Sequence, residues 1–145
     1  MKQTSALEVG IPVVDLDRMI DFYCDVMSCQ ELRRAEVPAA LSRGLTTGDR
    51  GYLNVWLQTP HGEVIKLMSP ATPPTLTPAP TALIESTGVR YLTFYCEDIE
   101  QVLLLAQERG ARLRSDRALL DGQIGVKLCF FEDPEGNVLE LVEPV

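Results

Sequence analysis

Trp56-Leu-Gln-Thr-Pro-His-Gly-Glu-Val-Ile-Lys-Leu-Met-Ser-Pro70 aligns without gaps on Phe130-Phe-Glu-Asp-Pro-Glu-Gly-Asn-Val-Leu-Glu-Leu-Val-Glu-Pro144, and Pro, Gly, Val, Leu and Pro coincide. Each copy reads as a strand, a tight turn and a second strand, because Pro presets φ and Gly supplies a positive φ between two apolar runs. The copies part company at one position: Lys66 stands in the first where Glu140 stands in the second. A carboxylate between Leu139 and Leu141 costs desolvation unless it has a partner or a task.

Upstream of each copy lies a matching start. Leu7 to Val14 alternates as a strand, and Asp15 caps a helix whose apolar positions Leu16, Met19, Ile20, Tyr23 and Val26 or Met27 recur at helical spacing, ending near Ser28. Val89 to Cys96 is likewise a strand, and Asp98 caps a helix to Arg109, with Gln101 three residues on and Gly110 just past its end. Glu8 to Asp15 thus matches Tyr91 to Asp98. Between these starts and the hairpins, Gln30 to Val37 and Ala111 to Arg117 read as strands. Pro38 to Gly51, with Gly44, Gly48 and Gly51, reads as an irregular loop over a pocket, and so does 119–124. Pro70, Pro73, Pro74, Pro78 and Pro80 make an extended linker. The chain is therefore one α+β domain of two tandem βαβββ modules, about 5–70 and about 88–145, joined by the linker at about 70–87. Neither module can bury its own sheet face alone.

Composition narrows the partners. A formal charge of −8, with a pI near 4.6, argues against nucleic acid and anionic membrane, both of which demand a basic face. No apolar run approaches a membrane span and Met1 to Ala6 lacks the apolar core of a signal peptide, so a cytoplasmic chain is expected. Cys24, Cys29, Cys96 and Cys129 form neither a CxxC nor a Cys/His cluster and read chiefly as small core residues. His61 sits in a turn and reads as exposed.

Asp15-Leu-Asp-Arg18 with Phe22-Tyr23, Asp133-Pro-Glu-Gly-Asn137 with Glu140-Leu141, and the paired modules together resemble the vicinal oxygen chelate superfamily of glyoxalases, bleomycin resistance proteins and extradiol dioxygenases. The resemblance implies curved mixed sheets around a cavity with helices outside, a small-molecule ligand and a homodimer. It also implies a divalent metal held by one residue on the first strand and one on the last strand of each module. Carried over one at a time, these positions hold Glu8, Lys66, Tyr91 and Glu140, and only Glu140 fits the pattern. An ammonium has donors and no lone pair, so the expectation is no metal and no cofactor, with Lys66 paired to one or both carboxylates.

Strand alternation adds Val64, Met68, Thr93, Tyr95, Val138 and Val142 to the face that carries these four, and hairpin pairing adds Trp56 beside Lys66 and Phe130 beside Glu140. Trp56, Met68, Thr93, Tyr95 and Phe130 are thus the expected substrate-binding set, suited to a small organic, even aromatic, molecule. Two functions fit. One is metal-independent proton transfer of the isomerase, epimerase or lyase kind by Glu140, Glu8, Lys66 and Tyr91. The other is non-catalytic binding of the bleomycin-resistance type.

Overall fold

The computed structural model describes residues 2–115 and 125–144, and the strand at 119–121 by its backbone alone. It divides into two compact units, Met1–Thr75 and Leu76–Val145. The first runs β1 (Glu8–Pro12), α1 (Leu16–Asp25), β2 (Gln30–Val37), α2 (Ala39–Gly44), β3 (Tyr52–Gln58) and β4 (Val64–Pro70). Its sheet has the order β1-β4-β3-β2, with β1 parallel to β4 and the other pairs antiparallel.

Asp15 takes an extended conformation and its side chain accepts the Arg18 N–H at 3.1 Å, which fixes where α1 begins. Met19, Phe22 and Tyr23 then fall on one stripe and are buried with Ile11, Val13, Val55, Leu57, Ile65 and Leu67, so α1 covers one face of the sheet. The helix ends at Asp25, short of Ser28. Ser28 adopts a positive φ of 55°, and the Cys29 N–H turns back to the Tyr23 carbonyl at 3.0 Å. β1 is shorter than Leu7 to Val14, and Leu7 lies exposed ahead of it. The expected loop from Pro38 to Gly51 contains a helix, α2. Its run Ala39-Ala40-Leu41 favours helix, and the buried Ser42 hydroxyl donates to the Gly48 carbonyl at 3.0 Å, folding the glycine-bearing remainder back on it.

The second unit runs β5 (Leu92–Tyr95), α3 (Ile99–Glu108), β6 (Arg112–Leu113), β7 (Leu119–Asp121), β8 (Val126–Glu132) and β9 (Val138–Pro144). Its sheet follows β5-β9-β8-β6, with β7 also paired to β8. Asp98 accepts the Gln101 N–H at 3.0 Å, and Glu143 on β9 accepts the Ile99 N–H at 3.0 Å, so two carboxylates hold the start of α3. Ile99, Leu103 and Ala106 are buried with Cys129, Phe131, Leu139 and Leu141.

Two expectations for this unit need correcting. The strand awaited from Ala111 to Arg117 is the two-residue β6; 116–117 lie outside the described residues. Within the awaited loop at 119–124, residues 119–121 form β7, and 122–124 lie outside the described residues. β6 pairs with Glu132 and Phe131 while β7 pairs with Leu128 to Val126, so two short strands share the edge of β8.

The hairpin turns follow the repeat. Gly62 and Gly136 take φ of 103° and 94°, which an L side chain rarely adopts. Asp133 is fully buried: Oδ1 accepts the N–H groups of Glu135 and Asn137, each at 2.9 Å, and Oδ2 accepts the Asn137 side-chain amide at 2.8 Å. In the linker, Leu83–Glu85 forms one 3-10 turn. Arg114 joins the linker to the second sheet, donating to Glu132 Oε1 at 2.6 Å and to the carbonyls of Pro80 and Thr81 at 2.6 and 3.2 Å. Among the described residues, no helix is long and apolar enough to cross a membrane.

Candidate functional site

Residues in register on neighbouring strands point to the same face. In the first unit Lys66 is in register with Trp56 on β3 and Gly10 on β1, Val64 with Gln58 and Glu8, and Met68 with Asn54 and Pro12. These residues occupy the face opposite α1. A β-bulge at Leu32 then sets Arg33, rather than Leu32, opposite Trp56.

Three of the expected residues meet here. Glu8 Oε2 accepts from Trp56 Nε1–H at 3.2 Å and from Lys66 Nζ at 3.3 Å, so both donors converge on one oxygen. The Arg33 guanidinium lies 3.8 Å from the centre of the Trp56 ring, and Lys66 Nζ lies 5.8 Å from it. Gly10 leaves room for this: a Cβ there would stand 3.1 Å from Met68 Cε and 4.0 Å from Lys66 Cε.

Desolvation raises the Glu8 pKa, but the hydrogen bonds from Trp56 and Lys66, with the charges of Lys66 and Arg33, outweigh it and leave it below the ordinary carboxylate value. Glu8 is therefore ionised at neutral pH and unsuited to the role of general acid.

In the second unit Glu140 is in register with Thr93 on β5 and Phe130 on β8, as Tyr95 is with Val142. Thr93 Oγ1 donates to Glu140 Oε2 at 2.7 Å, which answers the question of how a carboxylate is held between two buried leucines. Tyr91 precedes β5 and meets Phe130 edge to face, with ring centres 5.1 Å apart. Tyr91 is half-buried to exposed at 38%, whereas Tyr95 is open to solvent at 75%. Both units thus bring the residue expected on the first strand against the aromatic residue of the hairpin: Glu8, in β1, on Trp56, and Tyr91, just ahead of β5, on Phe130.

Two further residues were not singled out from the sequence. Asn54 lies two positions before Trp56, so alternation alone assigns it to this face. Arg33 needed the β2–β3 register and its bulge, which no local pattern reveals. The buried thiols are poor nucleophiles: burial pushes Cys29 up to about 12 and Cys129 up to about 11. His61 is exposed.

The profile of the Glyoxalase/Bleomycin resistance protein/Dioxygenase superfamily matches residues 6–141. A glyoxalase family protein from Bacillus cereus has the same fold at TM-score 0.81 and 26% identity, over 99% of this chain and 95% of that one. A mutant of maize glyoxalase I superposes at TM-score 0.71 with 19% identity, covering 97% of this chain and 45% of the maize chain. A mutant fosfomycin resistance protein from Listeria monocytogenes, solved with Mn(II) and a dihydroxypropylphosphonic acid, superposes at TM-score 0.60 with 11% identity, over 95% of this chain and 90% of that one. A search of curated proteins finds no match.

Proposed function

The chain belongs to the glyoxalase/bleomycin resistance protein/dioxygenase superfamily, and from that premise we propose that it takes a small organic ligand without a catalytic metal and moves a proton on it. One observation carries the metal-free part. At the position where the family resemblance implies a metal ligand, the Lys66 ammonium lies 3.3 Å from Glu8 Oε2, and Trp56 directs its N–H to the same oxygen. These residues do not fit a divalent cation. An ammonium supplies no lone pair and repels the ion, and the one carboxylate oxygen already receives two donors.

Proton transfer falls to Glu140. It is the carboxylate whose hydrogen-bonding partner is a hydroxyl rather than a cation, so it retains acceptor capacity for a substrate proton while Thr93 fixes its orientation. Glu8 serves instead to hold Lys66, and Tyr91 supplies a phenol near Phe130. Beside Glu140, Val138, Val142 and Phe130 share its face of the second sheet and match the ligand's apolar body. The second reading, binding without chemistry, is supported by the locked state of Glu8.

The test uses the full chain. Thermal-shift screening of small enolisable acids and ketones identifies a ligand, and deuterium exchange at its acidic C–H is followed by NMR in D₂O. Glu140→Gln is expected to abolish exchange and retain binding; exchange unchanged in the variant would refute the role of Glu140, and wild-type exchange no faster than in buffer would leave the sequestering reading. Metal content after dialysis is expected to be far below stoichiometric, and about one equivalent per chain, lost on Glu140→Ala, would refute the metal-free reading.

A further inference from the structure

Asn54 is the one residue with a buried side-chain polar atom, Oδ1, that meets no hydrogen-bond donor among the described residues. It is only 7% exposed. A buried amide oxygen left without a donor costs the free protein stability, so such a group calls for an explanation. Its place in the sheet suggests one. Asn54 shares its face with Trp56, two residues on, and lies diagonally across from Arg33, which is opposite Trp56.

Arg33 is equally suggestive. Its guanidinium carbon lies 3.8 Å from the centre of the Trp56 ring, close enough for cation–π attraction to hold the group on this face, and a guanidinium carries a fork of N–H donors that suits a planar carboxylate. Its neighbour Arg34 is paired with Glu31 at 2.7 Å on the other side of the strand. The charged side chains that the strands of the first unit place on this face are Arg33, Lys66 and Glu8. Two cations against one carboxylate leave a single positive charge, in a chain whose formal charge is −8. That balance suits a monocarboxylate better than a doubly charged phosphate.

We infer that the first module's sheet takes a small monocarboxylate that also carries an O–H or N–H donor, its acid group on Arg33 beside Lys66 and its donor on Asn54 Oδ1. The inference rests on the reading that this face binds a small organic molecule, and it adds the ligand's chemical class. Neighbouring strands lie about 4.8 Å apart and alternate residues along a strand about 6.7 Å apart. The donor must therefore stand several bonds away from the acid group, and Met68, in register with Asn54, offers an apolar wall for the ligand's body.

The experiment uses benzoate, its meta- and para-hydroxy and amino derivatives, and the methyl esters of each, titrated calorimetrically against the full chain and two variants. For the wild type, at least one donor-bearing acid is expected to bind about tenfold more tightly than benzoate, as one hydrogen bond to a preformed buried acceptor allows. Arg33→Gln should bring acids down to the level of their esters. Asn54→Leu should remove the donor's increment and leave benzoate unchanged. It should also raise the Tm of the free protein, because the variant no longer buries an unmet acceptor; Asn54→Ala repeats the binding test if the leucine does not fit. Esters and acids binding equally, or a donor increment that survives in both Asn54 variants, would overturn the assignment while leaving small-molecule binding intact. A lower Tm for Asn54→Leu with no change in ligand preference would identify Asn54 as a structural residue satisfied by water. If no probe binds, acid or ester, the binding reading itself fails and this inference with it.

Discussion

At the scale of single residues, the organising contact is the Glu8 oxygen shared by Lys66 and Trp56. Because the folded-state pKa of Glu8 is depressed, its contribution to stability is present above the unfolded value and is lost as pH falls through the folded one. Chemical-shift titration is expected to find Glu8 below an ordinary glutamate, and Lys66→Ala to raise it. An unshifted value in the wild type would contradict the ion pair. Asp133 makes a sharper case. Asp133→Ala removes three hydrogen bonds from a buried turn and is expected to cost about 3 kcal/mol by denaturant unfolding. Asp133→Asn should also destabilise, since an amide NH₂ would face the Asn137 amide NH₂. The Lys66 substitution was legible from the internal repeat alone, because Glu140 supplied the template. The structural role of Asp133 was not: a turn aspartate looks the same in sequence whether its carboxylate faces water or gathers the backbone donors beneath it.

Helices and strands were legible to the degree that their signals are local. Asp15 and Asp98 each accept the N–H three residues on, as their positions ahead of apolar periodicity imply. Asp15→Ala and Asp98→Ala are each expected to lower stability by about 1 kcal/mol. The Asp98 loss should be the smaller, because Glu143 still accepts the Ile99 N–H; equal losses would mean that Glu143 does not act as a second cap. β7 escaped detection, and β6 was drawn too long, for a different reason. Two or three residues are too few for alternation to register, and such strands exist only because β8 offers them an edge. Likewise α2 was hidden by the glycines that follow it, although its Ala39-Ala40-Leu41 start was visible. The bulge at Leu32 belongs to the same class. It is a property of two strands together, and it decides which residue faces Trp56.

On the scale of the whole chain, the duplication gave two units with separate cores, one centred on Met19, Phe22 and Leu67 and the other on Ile99, Phe131 and Leu141. Leu67→Ala and Leu141→Ala should each cost about 2–5 kcal/mol in the unit that contains it. Hydrogen exchange should accelerate chiefly in strands 8–70 for the first and 92–144 for the second, and uniform acceleration in both variants would mean that the units open as one. The proline-rich linker joins the two units along the chain, and it is pinned at two points: the Ala71 N–H bonds to the Gly51 carbonyl, and Arg114 grips the carbonyls of Pro80 and Thr81. The Arg114 grip turns a long connection into a short leash. The span from Thr72 to Ala79, between these two anchors, reaches about 25 Å when extended, at about 3.1 Å per residue, so the slack in the connection is set by an arginine in the second sheet as well as by chain length. Loosening that one side chain lengthens the leash without adding a residue.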